Sequence, residues 1–156
     1  MDVRYINPFI ESLVDTFSTM TGLTPVSLAP FLKDDQEAMA DITGLITFAS
    51  DTVRGSVALS LDEQLALMVF ERFTGDRATS LNADVTDCVG ELANMVAGGA
   101  KSRLSETGQT FRISLPKVQI GREIHIDHNI ASPAIVIPFD AGGLALKIEV
   151  AMEQRG

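Results

Sequence analysis

A chain of 156 residues has the length of one domain and can bury about two thirds of its unfolded surface without disulfide or metal staples. Hydrophobic residues at 46% and charged residues at 21% exclude a disordered chain. With 12 basic against 21 acidic residues the formal charge is −9, which repels nucleic acid and anionic membranes, and one cysteine excludes a disulfide framework or a cysteine-rich zinc site.

The opening MDVRYINPF lacks the apolar core of a signal peptide. No apolar run approaches the ~18 residues of a membrane span. The expectation is a soluble protein of a reducing compartment, most simply the cytoplasm, without nucleic-acid or membrane partners.

Asn7 to Thr21 reads as an amphipathic helix, with Asn7 as N-cap and Pro8 at the first helical position. Ile10, Leu13, Val14 and Phe17 form its apolar stripe, and Gly22 stops it. An extended or irregular stretch with Pro25 and Pro30 leads into the polar run Lys33 to Glu37. Ile42–Ala49 and the alternating Val53–Leu61 read as an antiparallel hairpin. Asp62–Phe73 is helical, ended by Gly75.

Asn82–Thr107, closed by Gly108, is the longest helical candidate. Phe111–Leu115 and Val118–Ile126 look extended. Ala134–Phe139 and Leu144–Met152 make a second hairpin about the turn Asp140-Ala141-Gly142-Gly143. Thr21, Gly22, Thr24 and Pro30 recur at one common offset as Thr107, Gly108, Thr110 and Pro116, each set following a helix. The expectation is a single α/β (α+β) domain over residues 1–156. Two pseudo-repeated halves, about 1–75 and 80–156, would share a mainly antiparallel sheet with long helices packed on it.

The chemistry concentrates in the long helix. At ~100° per residue, Asp84, Asp87, Glu91, Asn94, Gly98 and Ser102 fall along one face. Val85, Cys88, Val89, Leu92 and Val96 fall on the other, which should dock on the sheet. The polar face breaks several local rules together. Asp87 and Glu91 are like charges at i,i+4. Asn94 is a poor helix former, and Gly98 and Gly99 each cost about 1 kcal/mol against Ala. Gly98 would let another backbone come close, while Gly99 turns toward the core and the sheet. Such violations suggest a site. The same face also reads as idle surface, because Asp84 and Asp87 sit where the helix dipole favours carboxylates.

The spacing Asp87-x3-Glu91-x2-Asn94, followed by Pro116, resembles the signature of the CheC/CheX/FliY phosphatases. ELANMVAGGAKSRL looks like that family's active-site helix, and YINPFIES is similar to the start of its CheX-type members. CheC-type members carry the motif in both halves. Here Arg4 stands where the first copy would need Glu before Asn7, so the resemblance implies a single-site, CheX-like protein. It implies hydrolysis of the aspartyl phosphate on a CheY-type response regulator. Asn94 would position the attacking water and Glu91 would engage the regulator's lysine, with Asp87, Met95 and Gly98 as partner contacts. It further implies a homodimer with sheets joined across a two-fold axis. This chain would bind no cofactor or metal, since the Mg2+ belongs to the phosphorylated receiver. The alternative is a non-catalytic adaptor of the same fold that binds a regulator or flagellar-switch protein. A small-molecule-binding domain would instead call for a closed apolar pocket.

Other constellations are weaker. His125-Ile126-Asp127-His128 holds ligand types, but in a strand His128 would leave the face shared by His125 and Asp127, so a solvated strand end is the better reading. A cation along Asp84, Asp87 and Glu91 is less favoured than a solvated row. Cys88 reads as core rather than nucleophile, and Met20, Met39, Met68 and Met95 as gap-filling or surface residues rather than a binding stripe.

Overall fold

The alternation in Val53–Leu61 sends Val57, Leu59 and Leu61 to one side of a strand, and in the computed structural model that side is the core. The described residues are 3–33, 35, 38–122, 126–130 and 133–155. In chain order the elements are helix α1 (Val3–Thr21), short strands β1 (Val26–Ser27) and β2 (Phe31–Lys33), the hairpin β3 (Ile42–Ala49) and β4 (Val53–Leu61), and helices α2 (Glu63–Thr74) and α3 (Ala83–Leu104). Strands β5 (Arg112–Ile113) and β6 (Lys117–Ile120) and the hairpin β7 (Ala134–Ala141) and β8 (Leu144–Gln154) follow. The fold is α+β.

All strand pairings are antiparallel, in the order β1-β7-β8-β4-β3-β5, with β2 also on β7 and β6 also on β3. The short strands β1 and β2 thus lie along β7 of the second hairpin, and β5 and β6 along β3 of the first, so both hairpin edges are covered from within the chain. Gly142 and Gly143, at φ 62 and 87, turn β7 into β8, and Asp140 Oδ1 accepts from Gly143 N at 2.8 Å.

The three helices bury their stripes against one face of this sheet. Phe9, Leu13 and Phe17 of α1, Leu65 and Val69 of α2, and Val85, Val89, Leu92 and Val96 of α3 join Ile46, Leu59, Ile148 and Val150 in one core. Each buried aliphatic side chain contributes roughly 1.5–3 kcal/mol, more than the ~1 kcal/mol that a helical glycine costs. Tertiary burial thus carries α3 through its poor helix formers. Gly99 meets α1 rather than the sheet, since a Cβ there would run into Ser12 Oγ, and Ser12 donates to the Val96 carbonyl at 2.7 Å.

Helix α1 starts at Val3 rather than after Asn7, so Pro8 lies inside it. The missing Pro8 N–H leaves one helical bond unmade. Packing offsets that loss: Ile6 is buried, and Tyr5 lies edge-on to Phe111 and accepts a 2.9 Å hydrogen bond from Gln109 Nε2. The expected strand Val118–Ile126 is shorter, its described strand ending at Ile120.

Candidate functional site

The catalytic candidate is α3, and its start is fixed locally. Asn82 Oδ1 accepts from Val85 N at 2.9 Å, a cap worth about 1 kcal/mol. The helix closes through a turn at Ser105–Thr107 onto Gly108 at φ 87. Between these ends the two faces separate as their spacing predicts. Val85, Cys88, Val89, Leu92 and Val96 are buried, and Asp84, Asp87 and Glu91 are exposed. Asn94, Met95 and Gly98 are half-buried.

Glu91 and Asn94 sit one turn apart on this face. Among the described residues neither side chain takes a hydrogen bond or an ion pair. Arg103, further along α3, is by contrast engaged by Asp15 and Glu11 of α1. The Asn94 carboxamide thus keeps both donor and acceptor available, and Glu91 keeps its charge facing outward. A Cβ on Gly98 would touch nothing within 4 Å, so the helix surface one turn beyond Asn94 stays low.

Pro116, distant in sequence, comes to the same place. It lies with Val118 against Gly90, where a Cβ would be 3.7 Å from Pro116 Cγ and 3.2 Å from Val118 Cγ2. A side chain at this position would be tight against Val118, so glycine eases the close seat of α3 on the β5–β6 segment. The Asp-x3-Glu-x2-Asn stretch and the later proline are therefore neighbours in space.

Residues 42–140 match the family model Chemotaxis phosphatase CheX. The chain belongs to the chemotaxis phosphatase CheX family. CheY-P phosphatase CheX of Thermotoga maritima is 28% identical to it over 127 residues, 81% of each chain. The crystal structure of chemotaxis protein CheX from Vibrio vulnificus shares 38% identity over 96% of this chain and 99% of that one, with a TM-score of 0.87. That of a CheC-like superfamily protein from Shewanella sp. PV-4 shares 36% over 98% and 99%, with a TM-score of 0.90.

On this CheX-family scaffold the remaining candidates separate. Cys88 is buried, and burial, with the nearby Glu91 charge adding, pushes its thiol up to about 11, which suits a core residue and not a nucleophile at neutral pH. His128 is not a solvated strand end. It lies in a loop, only 9% of its side chain exposed, with Nδ1 2.7 Å from Ser56 Oγ and Nε2 3.7 Å from Glu149 Oε1. Asp127 accepts from Asn129 N at 2.8 Å, which shapes a turn there, and His125 is outside the described residues. Among the described residues no three His, Cys, Asp or Glu side chains are placed to hold a metal ion, and no helix is long and apolar enough to cross a membrane.

Two features escaped the sequence. One is a groove of about 610 Å³ beside Glu91, to which Asp87, Met95 and Cys88 also contribute. Its other walls come from the ends of α1 and α2, which helical spacing cannot bring together. The second is the buried cluster of Lys33, His128 and Glu149 on the far face of the sheet. Glu149 gave only a weak signal, as a carboxylate between Ile148 and Val150 and two residues after Lys147.

Proposed function

We propose that this protein is a phosphatase for the aspartyl phosphate of a CheY-type response regulator, acting in the cytoplasm through Asn94 and Glu91. One observation carries the reading: in a member of the chemotaxis phosphatase CheX family, a carboxamide and a carboxylate stand a turn apart on an outward face with no internal partner among the described residues. The curated relative from Thermotoga maritima is named for activity on CheY-P.

The reaction is water plus an acyl phosphate giving aspartate and inorganic phosphate. The water oxygen bonds phosphorus as the bond to the receiver's carboxylate oxygen breaks. Asn94 has no titratable group near neutral pH, so it does not act as a base. Its oxygen accepts a hydrogen bond from the water, and its amide donates to a phosphoryl oxygen, which holds the attack in line. No covalent intermediate forms on this chain, and the divalent ion is held by the receiver. Glu91 takes the receiver's active-site lysine and seats α3 over the phosphoaspartate. Asp87, Met95 and Gly98 form the surrounding contact. A phosphate-release assay with a phosphorylated receiver tests the proposal. Binding without accelerated release would instead mark an adaptor.

Replacing Glu91 with alanine is expected to weaken receiver binding by about tenfold at low ionic strength, because an interfacial charge pair is lost. The difference should shrink in high salt. Titration calorimetry at two salt concentrations checks this, and unchanged affinity at low salt removes the lysine pairing.

The protein also acts as a homodimer in this reading. Strands β1 and β2 give β7 one edge and, among the described residues, leave their other edge open, with Val26 61% and Leu32 71% exposed. Leu28 and Phe31 are exposed beside them. An open apolar edge invites a second strand. The same edge of a second copy, related by a two-fold axis, would extend the antiparallel sheet. Leu32→Lys is expected to convert a dimer into a monomer in sedimentation velocity. A variant that sediments as the wild type does places the interface elsewhere.

A further inference from the structure

We infer that the groove beside Glu91 is a second docking element for the receiver, taking an amphipathic segment that carries basic residues next to an apolar side chain. The inference rests on the phosphatase reading above and extends it from the two residues at the phosphoryl group to the surface that selects the partner.

Three elements converge to make the groove. Met20 comes from the end of α1, Phe73 from the last turn of α2 and Met95 from α3, all half-buried, and they give it an apolar floor. Methionine floors adapt to more than one apolar side chain. Asp76, Asp84 and Asp87, all exposed, form the rim, and Glu91 completes it at the catalytic helix. None of these four carboxylates is ion-paired among the described residues, whereas Arg77, next to Asp76, is turned to Glu71. The rim thus holds four carboxylates without an ion-pair partner around an apolar centre, while the nearby Arg72 donates to the Thr21 carbonyl at 2.8 Å.

That chemistry chooses the occupant. A second copy of this chain, at a formal charge of −9, would be repelled from the rim. A basic, amphipathic segment gains on both counts, by burying its apolar side chain on the floor and its charges against the rim. Position chooses it as well. Glu91 lines the groove, so a receiver lysine drawn to Glu91 brings the receiver surface around that lysine over the floor.

The test is steady-state hydrolysis of a phosphorylated CheY-type receiver by the full chain and two variants outside the catalytic pair. Asp76→Lys reverses an exposed rim charge, and Phe73→Ser removes floor. Each is expected to raise KM about tenfold with kcat unchanged. The Asp76→Lys defect should be relieved by a receiver in which a basic residue near its lysine is changed to glutamate. Thermal melts confirm that Phe73→Ser is folded, and the Asp76→Lys arm does not depend on it. Wild-type KM in Asp76→Lys, with the wild type active, overturns the groove while leaving the phosphatase reading intact. A wild type that neither binds nor dephosphorylates receivers fails that reading first. Self-association lost in Phe73→Ser assigns the groove to a second copy and overturns the inference.

Discussion

Asn94→Ala is expected to slow receiver dephosphorylation about a hundredfold, to near the uncatalysed rate, while receiver affinity is retained. Fixing a water in line contributes ~3 kcal/mol when the acyl phosphate is already labile, and that energy corresponds to a hundredfold in rate. The variant separates chemistry from folding, because alanine is the better helix former by a few tenths of a kcal/mol. The half-buried Asn94 side chain also has no internal hydrogen bond to lose among the described residues. A thermal melt should therefore show Asn94→Ala at least as stable as the wild type while single-turnover phosphate release collapses. Asn94→Asp should fall similarly, since a carboxylate cannot donate to the phosphoryl oxygens and repels them. Full activity in Asn94→Ala would sink the positioning role, and loss of affinity alongside rate would reassign Asn94 to docking.

How well the sequence foretold the molecule depended on whether a feature was local. The limits of α3 were legible because Asn82 and Gly108 are chemical punctuation that acts within a turn of itself. The hairpins were legible because their alternation reports a buried face directly. The polar face of α3 was legible for a like reason, since helical period alone separates the exposed Asp84, Asp87 and Glu91 from the buried side. The start of α1 was not, because Pro8 is a strong local signal and the packing of Tyr5 and Ile6 that overrides it comes from the far end of the chain. Likewise, nothing local says that the described strand within Val118–Ile126 ends at Ile120, or that His128 comes to lie against Ser56 and Glu149. The groove lay furthest from view. Helical period says which side of α1, α2 or α3 is apolar, but not that Met20, Phe73 and Met95 leave a hollow where the three helices meet.

Lys33→Met is expected to cost about 3–5 kcal/mol of stability, a large part of the roughly 5–15 kcal/mol that holds a domain folded. Glu149 is fully buried on the sheet face away from the helices, opposite Ala58 of β4 and Val136 of β7. Its Oε1 accepts from Lys33 Nζ at 2.8 Å, and the lysine side chain is only 6% exposed. His128 Nε2, at 3.7 Å from the same oxygen, makes no hydrogen bond among the described residues and does not replace the lysine. Asp35, 3.8 Å from Lys33 Nζ, is largely in solvent and adds little. Removing the ammonium therefore strands a carboxylate in the interior, where desolvation is no longer compensated. The double variant Lys33→Met with Glu149→Leu should recover most of the loss, because an apolar pair of similar volume has no charge to desolvate. Urea unfolding of both variants measures the difference, and equal midpoints for the single and double changes would show that the pair is not the source. Lys33 ends β2, and Glu149 lies at the centre of β8, so the ion pair ties the sheet's edge strand to its middle. Lys33→Met should accordingly loosen the edge that pairs in the dimer proposed above, yet leave the turnover of each folded molecule unchanged. Asn94 lies across the sheet, on a helix whose seat is the opposite face.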